Sequence, residues 1–164
     1  MVTGSLASSY HGEPRATRDL DIVIDPDGDS IDRLVRGLGA AGFYVDRDAA
    51  FEALRERTQF NAIGDDAEKI DFIIRKDRPF SIEEFERRRP ADLLGTPGFI
   101  TSIEDTIVAK LEWASTTASE RQLRDVVGML AVAGAAIDLA YVERWVAALG
   151  LQDGWSSVAV NLRR

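Results

Sequence analysis

Three aspartates stand where packing alone gives little reason for a carboxylate. Asp19 and Asp21 bracket Leu20 at the start of the run Asp19-Leu20-Asp21-Ile22-Val23-Ile24-Asp25, and Asp71 interrupts an apolar run of Ile70, Phe72, Ile73 and Ile74. Residues two apart in a strand share a face, so Asp19 and Asp21 project together, away from Leu20, Ile22 and Ile24. Two such charges repel unless water solvates them or a cation sits between them. A pair of Mg²⁺ ions bridging triphosphate oxygens is one chemistry that uses them, and a half-exposed strand facing solvent is the other explanation. A charge in the middle of an apolar strand is costly unless paired or metal-bound. Asp71 is therefore either a third ligand that also helps deprotonate an attacking hydroxyl, or the exposed side of an edge strand.

Gly4-Ser5 follows the short apolar start Met1-Val2 and precedes Ala7, Ser8 and Ser9, which can open a helix. A strand that turns through glycine into a helix N-terminus aims backbone N–H groups at a phosphate, although Gly-Ser pairs also serve ordinary turns. Arg15 and Arg18, just before the aspartate strand, could contact phosphate or acceptor, or lie on the surface. Ile103, Ile107, Lys110 and Ala114 fall on one helical stripe, which places an ammonium where a core residue is expected. Pairing with a triphosphate or with Asp125 would resolve that, as would snorkelling at the helix edge. The single histidine, His11, reads as a solvated loop residue, and Trp113, Trp145 and Trp155 as packing.

The elements that must position these groups can be read from periodicity. A strand over 19–25 ends at Pro26-Asp27-Gly28, and Ser30 caps a helix to about Ala41, closed by Gly42. A short strand over 43–45 and a helix or charged turn over 49–57 follow. Strands over 58–63 and 69–75, joined at Gly64-Asp65-Asp66, form a hairpin. From Ile103 the pattern turns helical, with segments near 103–117, 119–133 and 138–149, start signals at Ser102 and Asp138, and stops at Gly134 and Gly150. The expectation is an α+β chain: a mixed sheet domain over 1–100 with flanking helices, then a helical subdomain over 101–164.

At 164 residues the chain is long enough for a sizeable core. With no cysteine, disulfides and zinc-thiolate sites are excluded, and metal chemistry must use oxygen donors or His11. No apolar run reaches the length of a membrane span and no secretory leader is visible, so a cytoplasmic location is the default. A net charge of −8 opposes indiscriminate binding to nucleic-acid backbones, so a nucleic-acid partner would need a local basic patch.

Gly4-Ser5 followed by Tyr10-His11-Gly12-Glu13-Pro14-Arg15-Ala16-Thr17-Arg18-Asp19-Leu20-Asp21-Ile22 resembles the Gly-Ser and Asp-x-Asp signature of the nucleotidyltransferase superfamily with the DNA-polymerase-β-like fold. More narrowly, it is similar to small bacterial members that include the toxins of type IV toxin-antitoxin systems. The resemblance implies that Gly4 and Ser5 cradle a triphosphate, that Asp19 and Asp21 hold Mg²⁺ or Mn²⁺, and that Asp71 completes the triad. Ser102 to Leu111, and Arg121-Gln122-Leu123-Arg124-Asp125-Val126, resemble that branch's helical lysine and its Arg…Asp-Val segment, which gives Lys110 and Asp125 roles beside the nucleotide with Arg18. The family usually has a helix ahead of its first strand, whereas here the strand must begin at Met1-Val2-Thr3.

The implied function is metal-dependent transfer of a nucleoside monophosphate from a nucleoside triphosphate to an acceptor hydroxyl on an RNA end, a protein or a small molecule such as an aminoglycoside. The alternative is a non-catalytic component of a toxin-antitoxin-like system that binds nucleotide or a partner such as a cognate antitoxin. A dinucleotide-binding oxidoreductase is disfavoured because no Gly-x-Gly-x-x-Gly turn is present.

Overall fold

Hydrogen bonds of Met1 and Thr3 lay the start of the chain along the outer side of the first long strand. In the computed structural model, which describes residues 1–17, 19–66, 68–93 and 95–160, Met1–Ser5 and Thr17–Ile100 form one unit, and Leu6–Ala16 and Thr101–Arg164 another. Val2 makes isolated bridges, antiparallel to Ile22 and parallel to Ile100, in place of the expected strand, and helix α1 (Gly4–His11) begins at Gly4 with φ +64°. Strand β1 (Asp19–Ile24) donates from Val23 N to the Met1 carbonyl at 2.9 Å and accepts at the Asp21 carbonyl from Thr3 N at 2.9 Å.

Strands β2 (Tyr44–Val45), β3 (Gln59–Ile63) and β4 (Lys69–Ile74) complete a sheet of order β1-β4-β3-β2. β1 runs parallel to β4, and the remaining pairs are antiparallel, so the expected hairpin is present as β3 and β4. Helices α2 (Gly28–Ala40) and α3 (Arg47–Glu56) cover one face. There Ile31, Val35, Ala50 and Ala53 meet Phe60, Ala62, Phe72 and Ile74, with Ile22 and Ile24 packed alongside. Phe60 and Phe72 are register partners whose rings stack at 5.2 Å. A one-residue slip would turn this whole apolar set to the other face, so the core fixes the register.

The N-cap of α2 is Asp27 rather than Ser30: its carboxylate accepts from Ser30 N at 2.7 Å. Helix α4 (Pro79–Glu86) and the hairpin of β5 (Arg89–Leu93) and β6 (Thr96–Ile100) went unforeseen. Pro90 and Pro97 hide that hairpin, because proline cannot donate to a ladder and usually argues against a strand interior.

In the second unit, α5 (Ile103–Thr117), α6 (Glu120–Ala133), α7 (Leu139–Leu149) and α8 (Gln152–Ala159) pack around Ile107, Val108, Leu111, Val126, Met129, Val142 and Val158. Ser102 and Asp138 cap α5 and α7 as expected, while α8, which buries Trp155, was not anticipated. Trp145 is buried as well, and Trp113 is exposed. No helix among the described residues is long and apolar enough to cross a membrane.

His11 is not a solvated loop residue. It ends α1, half-buried, and its Nε2–H donates to the Thr101 carbonyl at 2.7 Å. Burial lowers its pKa below the ordinary 6.5, against the opposing pull of the Thr101 carbonyl and Glu104. A histidine whose folded pKa is lowered leaves the unfolded chain holding more protons, so its contribution to stability is full above the ordinary value and falls away as pH drops through the folded one. We expect the melting temperature to fall more steeply in the wild type than in His11→Gln as pH is lowered from about 7 to about 5, measured by thermal denaturation.

Candidate active site

The sheet register brings acidic groups from β1 and β4 side by side. Asp21 pairs with Asp71, Asp19 with Lys69, and across the hairpin Asn61 with Asp71. Because Ile22, Ile24, Phe60, Phe72 and Ile74 occupy the core side, Asp19, Asp21, Lys69, Asp71 and Asn61 belong to the opposite face. Neighbouring strands are about 4.8 Å apart, and two carboxylates at roughly 5 Å repel by about 3 kcal/mol at an effective dielectric near 20. The structure relieves this with Lys69, whose ammonium donates to Asp71 Oδ2 at 2.8 Å. Its pKa is raised, first by that bond and then by the charges of Asp71, Asp19 and Asp21, against the effect of partial burial.

Asp71 is only 8 % exposed, and its Oδ1 is buried without a hydrogen-bond partner among the described residues. Gly4 lies against Asp21 so closely that a Cβ there would come 1.9 Å from Oδ2. Ser5 follows at the start of α1, where the helix dipole favours an anion. Among the described residues no three carboxylate or histidine groups are gathered closely enough to hold a metal ion. Asp19, Asp21 and Asp71 thus share a face without being preassembled, and Lys69 lies among their charges. An oxygen-only donor set, a buried carboxylate oxygen without a donor among the described residues and a cation drawn into the same field do fit a hard divalent metal.

The helical unit holds a second ionic cluster. Lys110, 5 % exposed on α5, donates to Asp125 Oδ2 at 2.7 Å, which is one of the two partners its position left open. Arg15 grips the same carboxylate through Nε and Nη2, each at 3.1 Å, and Ser8 Oγ donates at 3.3 Å. Burial pushes the Asp125 carboxyl up, but the Arg15 and Lys110 donors outweigh it and hold its pKa below the ordinary value. Arg15 is thereby placed on Asp125 rather than loose on the surface. Arg18 lies outside the described residues.

No family model matches the sequence, and neither does any curated protein. Solved structures do match. The antibiotic-resistance factor ANT(2'')-Ia aligns with a TM-score of 0.59 at 15 % identity over 95 % of this chain and 84 % of its own. A nucleotidyltransferase-like protein from Paracoccidioides brasiliensis gives 0.55 at 16 % over 96 % and 82 %. The fold is nucleotidyltransferase-like. The lincomycin-bound lincosamide antibiotic adenylyltransferase LnuA gives 0.54 at 10 % over 80 % and 85 %. At such identities the shared feature is the nucleotidyltransferase-like fold.

Lys69 was not singled out in the sequence, although it lies two residues before Asp71 and strand periodicity puts both on one face. Asn61 could be found only from the hairpin register. If Lys69 competes with a metal for these carboxylates, replacing it removes both a competitor and a nearby positive charge. Lys69→Met is expected to tighten Mn²⁺ binding by about tenfold or more, as measured by titration calorimetry, and unchanged or weaker binding would contradict the arrangement.

Proposed function

We propose that the sheet unit is a metal-dependent nucleotidyl-transfer centre that moves a nucleoside monophosphate from a nucleoside triphosphate to an acceptor hydroxyl. One observation carries it: Asp21 and Asp71 stand side by side on the polar face, with Gly4 packed against Asp21 and a buried oxygen of Asp71 lacking a hydrogen-bond donor among the described residues. A divalent cation held there would stabilise charge on the attacking and leaving oxygens. Asp21 and Asp71 would supply its oxygens, joined by the exposed Asp19 at the strand start. The bare Gly4 backbone lets phosphate approach, and the first N–H groups of α1 at Ser5 receive the phosphate oxygens.

Asp71 Oδ1 then accepts the acceptor's proton as its oxygen bonds to the α-phosphorus. The bond from that phosphorus to the bridging oxygen breaks, pyrophosphate leaves with the electron pair, and the proton passes on to water. Lys69, on a flexible stem, gives up Asp71 when the nucleotide arrives. Lys110 keeps Asp125 ionised within the helical unit, and no step of the transfer is assigned to that pair.

A small polar acceptor is favoured over a long nucleic acid. Two of the structural neighbours are named for antibiotics, and a net charge of −8 repels a polyanion while attracting a cationic molecule. The unassembled carboxylates favour a second reading, a protein that binds nucleotide without turnover. Incubation with each labelled triphosphate, Mg²⁺ and either small hydroxylated antibiotics, RNA or protein separates the two. Transfer is expected to one acceptor class and to fall by about a hundredfold or more in Asp21→Asn and Asp71→Asn. Nucleotide binding without pyrophosphate release would support the binder, and equal labelling by the variants would reject the site.

A further inference from the structure

The polar face of the sheet does not end at its carboxylates. Asn61 on β3 is the register partner of Asp71, Ile63 is the partner of Lys69, and Tyr44 on β2 is in turn the partner of Ile63. Register partners, and residues two apart on one strand, share a face. Val45 and Ala62, one position away, pack into the core on the other side. Asn61, Ile63 and Tyr44 therefore stand on the same side as Asp21 and Asp71. They are open to solvent, with Asn61 exposed, Ile63 at 42 % and Tyr44 at 70 %.

Chemical character changes in order across that face. β1 and β4 carry Asp19, Asp21 and Asp71, β3 adds a neutral amide that both donates and accepts, and the far edge ends in an aromatic ring beside an aliphatic side chain. Side chains directly opposite on paired strands stand about 5 Å apart, so the Asn61 amide is within reach of a hydroxyl held at Asp71. Tyr44 is two strand spacings from β4 and two residues along from Asp71, roughly 12 Å away. One six-membered ring does not cover that span, and two linked rings do. A tyrosine ring beside an isoleucine offers a ring-shaped ligand an apolar platform that loses little side-chain freedom on binding. Next to it the hairpin end carries exposed Asp65, Asp66 and Glu68, whose charges repel an anionic body.

We propose that the acceptor lies across β4, β3 and β2, with Asn61 holding its hydroxyl-bearing end beside Asp71 while Tyr44 and Ile63 receive a second ring. The face thereby selects a hydroxylated compound of two linked rings that bears no negative charge. This rests on nucleotidyl transfer at Asp21 and Asp71, and adds to it the residues that choose the acceptor. Asn61, Ile63 and Tyr44 position the acceptor and take no part in the exchange at phosphorus.

Nuclear magnetic resonance titration of the isotope-labelled full chain in Mg²⁺ tests it, with phenyl β-D-glucoside as a two-ring probe and methyl β-D-glucoside as its one-ring counterpart. Phenyl glucoside is expected to shift the Asn61 side-chain amide and the Tyr44 signals saturably, and to bind about fivefold or more tighter than methyl glucoside. Tyr44→Ala should abolish that difference and leave the binding of methyl glucoside as it was. Asn61→Ala should weaken both probes alike and keep their ratio. Both side chains are exposed, so neither change disturbs the core. The subsite is overturned by equal affinity of the two glucosides for the wild type, by a phenyl preference that survives in Tyr44→Ala, or by absent binding or shifts confined to residues away from Asn61 and Tyr44. The titration involves no transfer. Glucosides binding as described while label transfer fails in the acceptor assay would remove the reaction and keep the subsite, and transfer with the two glucosides bound alike would do the reverse.

Discussion

A strand that buries Ile22 against a helix layer must turn Asp21 to the opposite face, and a parallel neighbour that buries Phe72 must do the same with Asp71. The register of β1 on β4 therefore decides whether these carboxylates meet at all. Held there by the packing of Ile22, Ile24, Phe72 and Ile74 into one core, they carry a mutual repulsion that has to be offset by something positive. The chain's own answer is Lys69. That the lysine satisfies only one oxygen of Asp71, leaving the other buried without a donor among the described residues, is what distinguishes this face from a merely solvated strand.

The helical unit solves a similar problem differently. Its buried ammonium, Lys110, is matched by a carboxylate that also receives Arg15 and Ser8, so Asp125 on α6 gathers donors from residues 6–16 and from α5. Removing one partner of such a buried pair commonly destabilises a protein by about 3–5 kcal/mol, which makes Asp125 a structural anchor before it is anything else.

Period-two alternation was enough to place β1, β3 and β4 and to assign Asp19 and Asp21 to one side of β1, whereas the position of Asp71 beside Asp21 comes from the parallel register of β1 on β4. Helix boundaries around Ser102, Gly134, Asp138 and Gly150 were equally legible, since capping chemistry is local. What lay beyond reach depends on contacts distant in sequence. That residues 6–16 belong with the helices, through His11 on Thr101 and Arg15 on Asp125, is announced by nothing nearby in the chain. The β5–β6 hairpin was masked by its prolines, and Asp27 caps α2 because its extended backbone lets its carboxylate accept from the N–H of Ser30, which lies inside the first turn.

The most direct measurement is anomalous diffraction from crystals grown with Mn²⁺ and a non-hydrolysable nucleoside triphosphate. Shared strand register next to the glycine turn predicts a manganese peak within about 2.2 Å of carboxylate oxygens from both Asp21 and Asp71, with the Lys69 ammonium moved off Asp71 and phosphate oxygens at the Gly4-Ser5 backbone. A nucleotide bound with no manganese at those two side chains, or manganese found elsewhere while Lys69 stays on Asp71, would contradict it.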